Sequence, residues 1–360
     1  MKRLLITLFF LCFSAGSLAA ASSTKPCAVE PHGFESLDGE RRIYPYRMKG
    51  KLRLIFFWVG KDRVGGGHIT TVRQPRGEQG RWAEGVEVLF GSNPERVPGR
   101  INRWGYGREW AVWQADGLSG RATMLRSIFE GFMRKSDEVS ISEVQHKTQA
   151  RQEGQLFVYQ GIRSLVEPQK SASQVWLFTG SEDFDYRQPG ALNCEFRRQM
   201  QAREPDRRRS LKNGPSIYAD PVGFLTSIRQ VIDSVVGSGG SLKARQIPSR
   251  NYVYNARLYT LSVKKVKKHR KFGLPLVNSE GKGAGKRRFA DVAEVRFRVK
   301  RHDTGDGHSF GLWFPLRGEL KGIPLRIVDQ PRWWLKIELN LEPSRITTSS
   351  TSAAAQTQSH

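Results

Sequence analysis

Two glycine-rich segments contain the residue types that bind metal ions or phosphates. The run 302–308 reads His-Asp-Thr-Gly-Asp-Gly-His and gathers two imidazoles and two carboxylates, which are ligands for divalent cations. The same Asp and Gly residues are also the ones that a hairpin turn requires. A closed metal site needs three or four convergent ligands, so we favour the turn and assign neither a metal nor a cofactor.

The run 281–287, Gly-Lys-Gly-Ala-Gly-Lys-Arg, has the composition of a phosphate-binding loop without its spacing. The first glycine of that motif would fall at Glu280, and Arg287 stands where a Ser or Thr should bind the metal. We therefore expect a solvated loop that can hold anions weakly through its backbone amides and lysines.

An aromatic cluster is the clearest candidate for stacking on a sugar ring or an acyl chain. Tyr106 and Trp110 are four residues apart and would share one face of a strand, whereas Trp113 would lie on the other face. The alternative, which we favour, is an ordinary β-sheet core, because aromatic residues are common in strands. The cluster consists of Trp104, Tyr106, Trp110 and Trp113.

A secreted hydrolase or carbohydrate-active enzyme that uses this Trp-rich half is the alternative function. Such an enzyme needs two carboxylates that face each other across a cleft, and no spacing distinguishes two of those present. His68 has no evident nucleophile or carboxylate partner in the sequence. We therefore name no catalytic residue and favour a protein that is not an enzyme. The carboxylates available are Glu84, Glu87, Glu109 and Asp116.

Positive charge is the strongest signal in the 360 residues, because 59 Lys and Arg oppose 34 Asp and Glu and give a net charge of +25. Much of it lies in residues 197–212 and 257–301, which we expect to form a positive surface that binds anions. A solvated basic face is the alternative. The residues assigned to anion binding are Lys264, Lys265, Lys267, Lys268, Arg270, Lys271, Arg207, Arg208 and Arg209.

The N-terminus is typical of a cleaved signal peptide. Lys2 and Arg3 precede an apolar stretch from Leu4 to Phe13, and small residues before position 22 predict cleavage after Ala21. No later apolar run is long enough for a transmembrane helix. We expect a periplasmic, envelope-associated or secreted protein with a mature charge of +23.

Export limits the partners and the cysteine chemistry. It argues against nucleic acid and leaves anionic lipid or polysaccharide of the envelope, with peripheral contact to a membrane. After cleavage the chain keeps two thiols, which are candidates for a disulfide in an oxidising compartment; two unpaired thiols are the alternative. The pair is Cys27 and Cys194.

The hydrophobic pattern predicts a mainly β fold, an antiparallel curved sheet or half-barrel with one short helix, arranged as one sheet or two β-rich subdomains. Residues 51–59 alternate and then become continuously apolar, as in a strand that enters a core. Asp220 and Pro221 predict the start of the helix, and Gly237 predicts its end. Further strands are predicted at 82–90, 106–114, 123–133, 138–148, 155–166, 174–178, 251–266, 289–299, 308–314, 323–328 and 334–341.

These patterns divide the chain into six segments by composition. The final segment is rich in Ser, Thr, Ala and Gln, which predicts disorder. The segments are a signal peptide at 1–21, an extended arm at 22–45, a β-rich part at 46–196, a basic linker at 197–219, a helix with closing strands at 220–343, and a disordered tail at 344–360.

The last third of the chain resembles a family of exported bacterial proteins of unknown function, whose domain is similar to the half-barrel of periplasmic lipoprotein carriers. The resemblance implies a curved sheet with a helix over its concave side, and it brings no catalytic residues. The residues that carry it are Asp220-Pro221, 224–229, 255–261, 310–314, 323–327 and 334–339.

Together these observations favour an exported envelope protein that binds anionic lipid or glycan and is not an enzyme. In this hypothesis the curved sheet provides an apolar concavity, and a basic rim attracts the anionic ligand.

Overall fold

Over the residues that it describes, the computed structural model is mainly an antiparallel β-sheet with one α-helix, as the hydrophobic pattern predicts. Over the described residues the sheet has fifteen strands and does not close into a complete barrel. The structure describes residues 39–54, 57–74, 81–93, 96, 103–116, 119–134, 156–167, 172–183, 207–212, 223–254, 257–277, 283–332 and 334–351.

Most strands that are neighbours in the sheet are also consecutive in the chain, which is typical of a meandering sheet. The strands are β1 (Gly39–Leu54), β2 (Phe57–Gln74), β3 (Arg81–Ser92), β4 (Arg103–Asp116), β5 (Ser119–Arg134), β6 (Leu156–Glu167), β7 (Ala172–Asp183), β8 (Arg207–Lys212), β9 (Arg250–Tyr254), β10 (Arg257–Val277), β11 (Gly283–Arg301), β12 (Gly307–Pro315), β13 (Arg326–Arg332), β14 (Leu335–Leu341) and β15 (Thr347–Thr351). The helix, α1, spans Phe224–Gly237, and 3-10 turns lie at Ala244–Gln246 and Pro343–Arg345.

The first and last parts of the chain belong to the same sheet. The strand order is β8-β7-β6-β5-β4-β3-β2-β1-β14-β13-β12-β11-β10-β9, so β1 pairs with β2 on one side and with β14 on the other. The register at this junction runs from Tyr46 opposite Leu341 to Leu52 opposite Leu335. The two β-rich segments of the sequence are therefore joined by backbone hydrogen bonds.

Three segment boundaries differ from those expected from composition. β1 begins at Gly39, inside the predicted arm, and residues 207–212 of the predicted linker form β8. In the predicted tail, Thr347–Thr351 pairs with the first part of β1, where β14 no longer reaches. An open strand edge can recruit a polar Ser/Thr segment by backbone bonding alone, which composition does not reveal. The predicted strand at 138–148 lies outside the described residues.

The helix packs its apolar face against the concave side of the sheet. Leu225, Val231, Ile232 and Val235 are buried, and they belong to one core cluster with side chains of β1, β3 and β9 to β14. These buried residues recur at helical spacing, so the helix buries one apolar face. The N-cap of the helix is Gly223 and not the predicted Asp220. Asp220 itself lies outside the described residues.

The N-terminus of α1 is capped by Glu109 of β4, which is 115 residues away in the sequence. Its Oε1 accepts a hydrogen bond from the Phe224 backbone N–H at 2.8 Å. Its Oε2 accepts from the N–H groups of Leu225 at 2.7 Å and Thr226 at 3.0 Å, and from the Thr226 hydroxyl at 3.1 Å. Burial raises the pKa of Glu109 to about 7, although the hydrogen bonds from Thr226, Leu225 and Phe224 act in the opposite direction.

Aromatic contacts bring the two flanks of the curved sheet together around this helix end. The ring of Phe129 in β5 lies 5.0 Å from the ring of Tyr254 in β9. Tyr252 of β9 also packs against Phe224 at 5.4 Å. Side-chain packing therefore connects the two flanks of the sheet, which backbone hydrogen bonds do not join.

We predict that Gly223→Ala destabilises the protein by about 2–4 kcal/mol, because a Cβ at this position would overlap both carboxylate oxygens of Glu109 and displace the cap. Gly237→Ala at the other end of α1 is the matched control, since a Cβ there meets no atom within 4 Å. We expect the control to change the free energy of unfolding by less than about 0.5 kcal/mol. Urea unfolding measures both values.

A double-mutant cycle with Glu109→Ala tests the cause of the loss. If Gly223→Ala acts by displacing the carboxylate, the two losses overlap and are not additive. Additive losses would show that the glycine matters for another reason.

Candidate functional site

The most distinctive charged surface is a long hairpin formed by β10 and β11, which we call the basic ribbon. All six predicted anion-binding residues on β10 are exposed there, and the ribbon includes the three exposed cations of β11 that lie nearest the end of the hairpin. The basic ribbon consists of Lys264, Lys265, Lys267, Lys268, Arg270 and Lys271 on β10, with Lys286, Arg287 and Arg288 on β11.

The ribbon begins where β10 runs past β9, so its lysines lie along an edge of the sheet. β9 pairs only with residues 257–261 of β10, and β12 pairs only with residues 292–300 of β11. Over the described residues, β10 beyond Leu261 therefore has β11 on one side and no strand on the other.

The end of the ribbon is fastened to the body of the sheet. Leu274 is fully buried in the core, and the Pro275 carbonyl accepts a hydrogen bond from Arg47 Nη2 at 3.3 Å. The Arg326 guanidinium lies 4.9 Å from the centre of the Phe272 ring. The cations between these contacts and the main sheet are therefore presented by a fixed backbone.

Few carboxylates neutralise the ribbon. Lys268 Nζ lies 3.3 Å from Asp291 Oδ1, whereas Glu294 is paired with His269 at 2.9 Å and Arg296 at 2.8 Å. In the part of the chain that the structure describes, the other five β10 cations form no ion pair. They are Lys264, Lys265, Lys267, Arg270 and Lys271.

The second basic segment lies elsewhere in the strand order. Arg207, Arg208 and Arg209 belong to β8, at the opposite end of the order from β9 and β10. They pair with Leu177, Trp176 and Val175 of β7 through the backbone, and their side chains lie outside the described residues. Strand order thus gives no support for a single surface that contains both segments.

Two side chains of the predicted aromatic cluster lie within the described residues. Tyr106 and Trp110 are buried and share one face of β4, as their spacing predicts. The Arg108 guanidinium lies between them, 5.6 Å and 5.8 Å from the two ring centres. These two rings thus have the packing of a sheet core. The side chains of Trp104 and Trp113 lie outside the described residues.

Glu87 organises the polar side of this cluster. It accepts hydrogen bonds from the Tyr106 hydroxyl at 3.0 Å and from Arg108 Nη2 at 2.8 Å. His68 Nε2 lies 3.8 Å away, so this histidine does have a carboxylate neighbour that the sequence does not reveal. Burial opposes ionisation of Glu87, but His68 and Arg108 outweigh it and lower the pKa to about 2.

Three of the carboxylates of the alternative enzyme hypothesis have described side chains, and each contacts a different partner. Glu87 contacts Arg108 on one face of β4. Glu109 follows Arg108 in β4 and contacts the helix on the other face of the strand. Glu84 lies 3.9 Å from Arg229 of α1. The side chain of Asp116 is outside the described residues.

The run 302–308 forms the predicted turn between β11 and β12. The Thr260 hydroxyl and His302 Nε2 are 2.6 Å apart, whereas His308 pairs with the buried Asp329 of β13. The two histidines therefore have separate partners. Over the described residues, no three His, Cys, Asp or Glu side chains come together as metal ligands.

Beside α1, the sheet and the helix line an apolar cavity of about 90 Å³ that is partly open to solvent. Its lining is almost entirely apolar, as expected for the apolar concavity that the sequence predicts. Whether it holds a ligand stays a prediction. The lining includes Tyr44, Ile69, Val86, Phe224, Ile228, Phe310 and Leu339.

Several predictions from the termini fall outside the described residues. These include the signal peptide at 1–21 and both cysteines, Cys27 and Cys194. Within the described ranges, no helix has the length and apolar character needed to cross a membrane.

No protein-family model matches the chain, and no curated protein matches it. Among solved structures, it is similar to a crystal structure of a beta-barrel-like protein of domain of unknown function DUF1849 from Brucella abortus. The match has 10% identity and a TM-score of 0.40, and covers 88% of this chain and 100% of the other. The resemblance to lipoprotein carriers stays a prediction.

We predict that Glu87 contributes up to about 3 kcal/mol of stability, which is lost in acid. Its folded pKa of about 2 lies below its ordinary value of 4.5. The contribution is therefore complete above about pH 4.5 and disappears as the pH falls towards 2. Unfolding free energies measured across this range for the wild type and Glu87→Gln should converge at low pH.

The exposed carboxylate of Glu319 provides the control. Glu319→Gln should stay parallel to the wild type over the same range. A constant gap between the wild type and Glu87→Gln would contradict the prediction.

Proposed function

We propose that this protein is exported to the cell envelope, is not an enzyme, and binds anionic lipid headgroups through the basic ribbon. The observation that carries the proposal is the row of exposed β10 cations, five of which have no ion pair among the described residues. Export rests on the basic, apolar and small-residue order of residues 2–21.

The arrangement suits a surface of many phosphates better than a single small anion. One face of β10 carries Lys265, Lys267 and Lys271, and the other carries Lys268 and Arg270. The positive charge is therefore spread along the strand and does not converge on one point. Each cation close to an anionic bilayer contributes about 1 kcal/mol at moderate salt. Several such contacts together give useful affinity without a pocket.

The fixed backbone of the hairpin favours this binding. Contacts of Leu274 and Pro275 with the body hold the far end of the ribbon, so little backbone freedom is lost when the ligand is bound. Only the lysine and arginine side chains need to be ordered. The cations are thus presented before the ligand arrives.

The proposal predicts that Lys265→Glu/Lys271→Glu weakens binding to vesicles of equal parts phosphatidylglycerol and phosphatidylcholine by at least about tenfold. The matched control is Arg42→Glu/Arg345→Glu, which changes the net charge equally at exposed positions of β1 and of the turn at Pro343–Arg345. Co-sedimentation at low salt measures both. Wild-type binding should weaken as salt is added, because the contacts are between exposed charges.

Three outcomes would contradict the proposal. The two double variants could weaken binding equally, which would make net charge the only cause. Low-salt binding could be indifferent to phosphatidylglycerol, which would remove the headgroup charge from the explanation. A soluble uronic acid polymer could bind the ribbon while the vesicles do not, which would identify an anionic glycan as the ligand.

A further inference from the structure

A second surface, distinct from the ribbon, exposes large apolar side chains at the tips of two neighbouring hairpins. We call it the apolar tip. Its members are 37%, 39%, 48% and 41% exposed, and within the described ranges they are the only large hydrophobic side chains exposed to this degree. They are, in that order, Leu52, Trp58, Val59 and Trp334.

The backbone register brings these residues together. Leu52 of β1 lies directly opposite Val59 of β2 and, on its other side, opposite Leu335 of β14. The Arg53 N–H donates to the Trp334 carbonyl at 2.8 Å, which joins the β1–β2 hairpin to the β13–β14 turn. Leu52 and Val59 therefore share one face of the β1–β2 hairpin, and Trp58 lies on its other face, so the apolar tip exposes apolar side chains on both sides.

The described ends of these hairpins are unusual for a surface in contact with water. Hairpin ends favour small and polar residues, whereas Leu52, Trp58 and Trp334 are large and apolar. Burial of an exposed tryptophan side chain is favourable by the hydrophobic effect. Contiguous exposed apolar patches therefore mark interaction sites. The apolar tip thus has the character of a contact surface.

Cations surround the apolar tip. Arg53 and Lys61 are exposed beside it, and Lys51 and Lys336 share one carboxylate, Glu338, at 2.7 Å and 3.3 Å. The other nearby carboxylate, Asp62, is paired with the buried Arg47 at 2.9 Å. The patch is therefore apolar at its centre and net positive at its edge.

We infer that the apolar tip inserts into the interfacial layer of a phospholipid bilayer, with its cationic edge against anionic headgroups. Tryptophan favours the boundary between water and hydrocarbon, because its ring is apolar and its N–H needs a polar partner. Lysine and arginine beside such a patch add attraction to anionic lipid. A second copy of the chain would instead place two positive edges against each other.

The apolar tip acts separately from the ribbon. Directly paired residues form a row across the sheet from Gly50 in β1 to Val263 in β10, through Ile337, Asp329, Phe310 and Phe297. From this row β1 continues to the apolar tip, whereas β10 continues into the basic ribbon. The two surfaces share no residue, so each can be substituted without changing the residues of the other.

The test uses the full chain and vesicles of phosphatidylcholine alone, at about 1 M salt, where the screening length is about 3 Å. Under these conditions the ribbon contributes little and apolar insertion persists. Trp58→Ser/Trp334→Ser should lower the partition coefficient by about tenfold for each tryptophan replaced. Trp58→Phe/Trp334→Phe, which keeps the apolar rings, should retain most of the binding.

Lys265→Glu/Lys271→Glu is the matched control and should leave high-salt binding unchanged, so failure of the ribbon proposal and of this one can be told apart. All variants keep the same N-terminus, whose contribution cancels. The inference is overturned if the wild type shows no binding at high salt, or if the Ser variant binds like the wild type. It is also overturned if the wild type forms a dimer that the Ser variant loses.

Discussion

The fold depends on the contact between the Glu109 carboxylate and the start of α1. A helix begins with N–H groups that have no partner within the helix, and Gly223 has no side chain to satisfy them. Glu109 accepts from three successive N–H groups and reaches them from β4. This contact fixes the helix against one flank of the sheet, while Phe224 packs against Tyr252 on the other. The sheet is thereby held in a curve that its hydrogen-bond ladder does not close.

Local pattern was enough to predict the elements and insufficient to predict how they meet. The hydrophobic pattern predicts strands at 82–90, 106–114 and 289–299, which lie within β3, β4 and β11, because apolar residues recur on the faces that these strands bury. The helix cap could not be predicted in the same way. Its acceptor is far away in sequence, and a Glu in a strand carries no local sign that it will meet a helix. The pairing of β1 with β14 is hidden for the same reason.

The two candidate surfaces differ in how visible they are in the sequence. The β10 cations of the ribbon were predicted, because unpaired Lys and Arg are almost never fully buried wherever the strand lies. The apolar tip was not, since the run 51–59 predicted a strand that enters the core. In the structure the chain turns within this run, and Trp58 and Val59 emerge at the rim. Apolar residues can be placed inside or outside only when the position of the turn is known.

A long antiparallel strand can carry different surfaces at its two ends, and this sheet uses that freedom. Near the row from Gly50 to Val263, side chains such as Phe297 and Phe310 are buried and stacked, so this part is committed to the core. Beyond this row, some strands extend past the ends of their neighbours. The side chains there are no longer covered by other elements and can contact a ligand or a membrane. Towards the ribbon these side chains are cationic, and their attraction is long-ranged and weakened by salt. Towards the apolar tip they are aromatic and aliphatic, and their attraction is short-ranged and persists in salt. In this fold, the electrostatic and the hydrophobic contact surfaces therefore lie on different strand ends, each of which extends past a shorter neighbour.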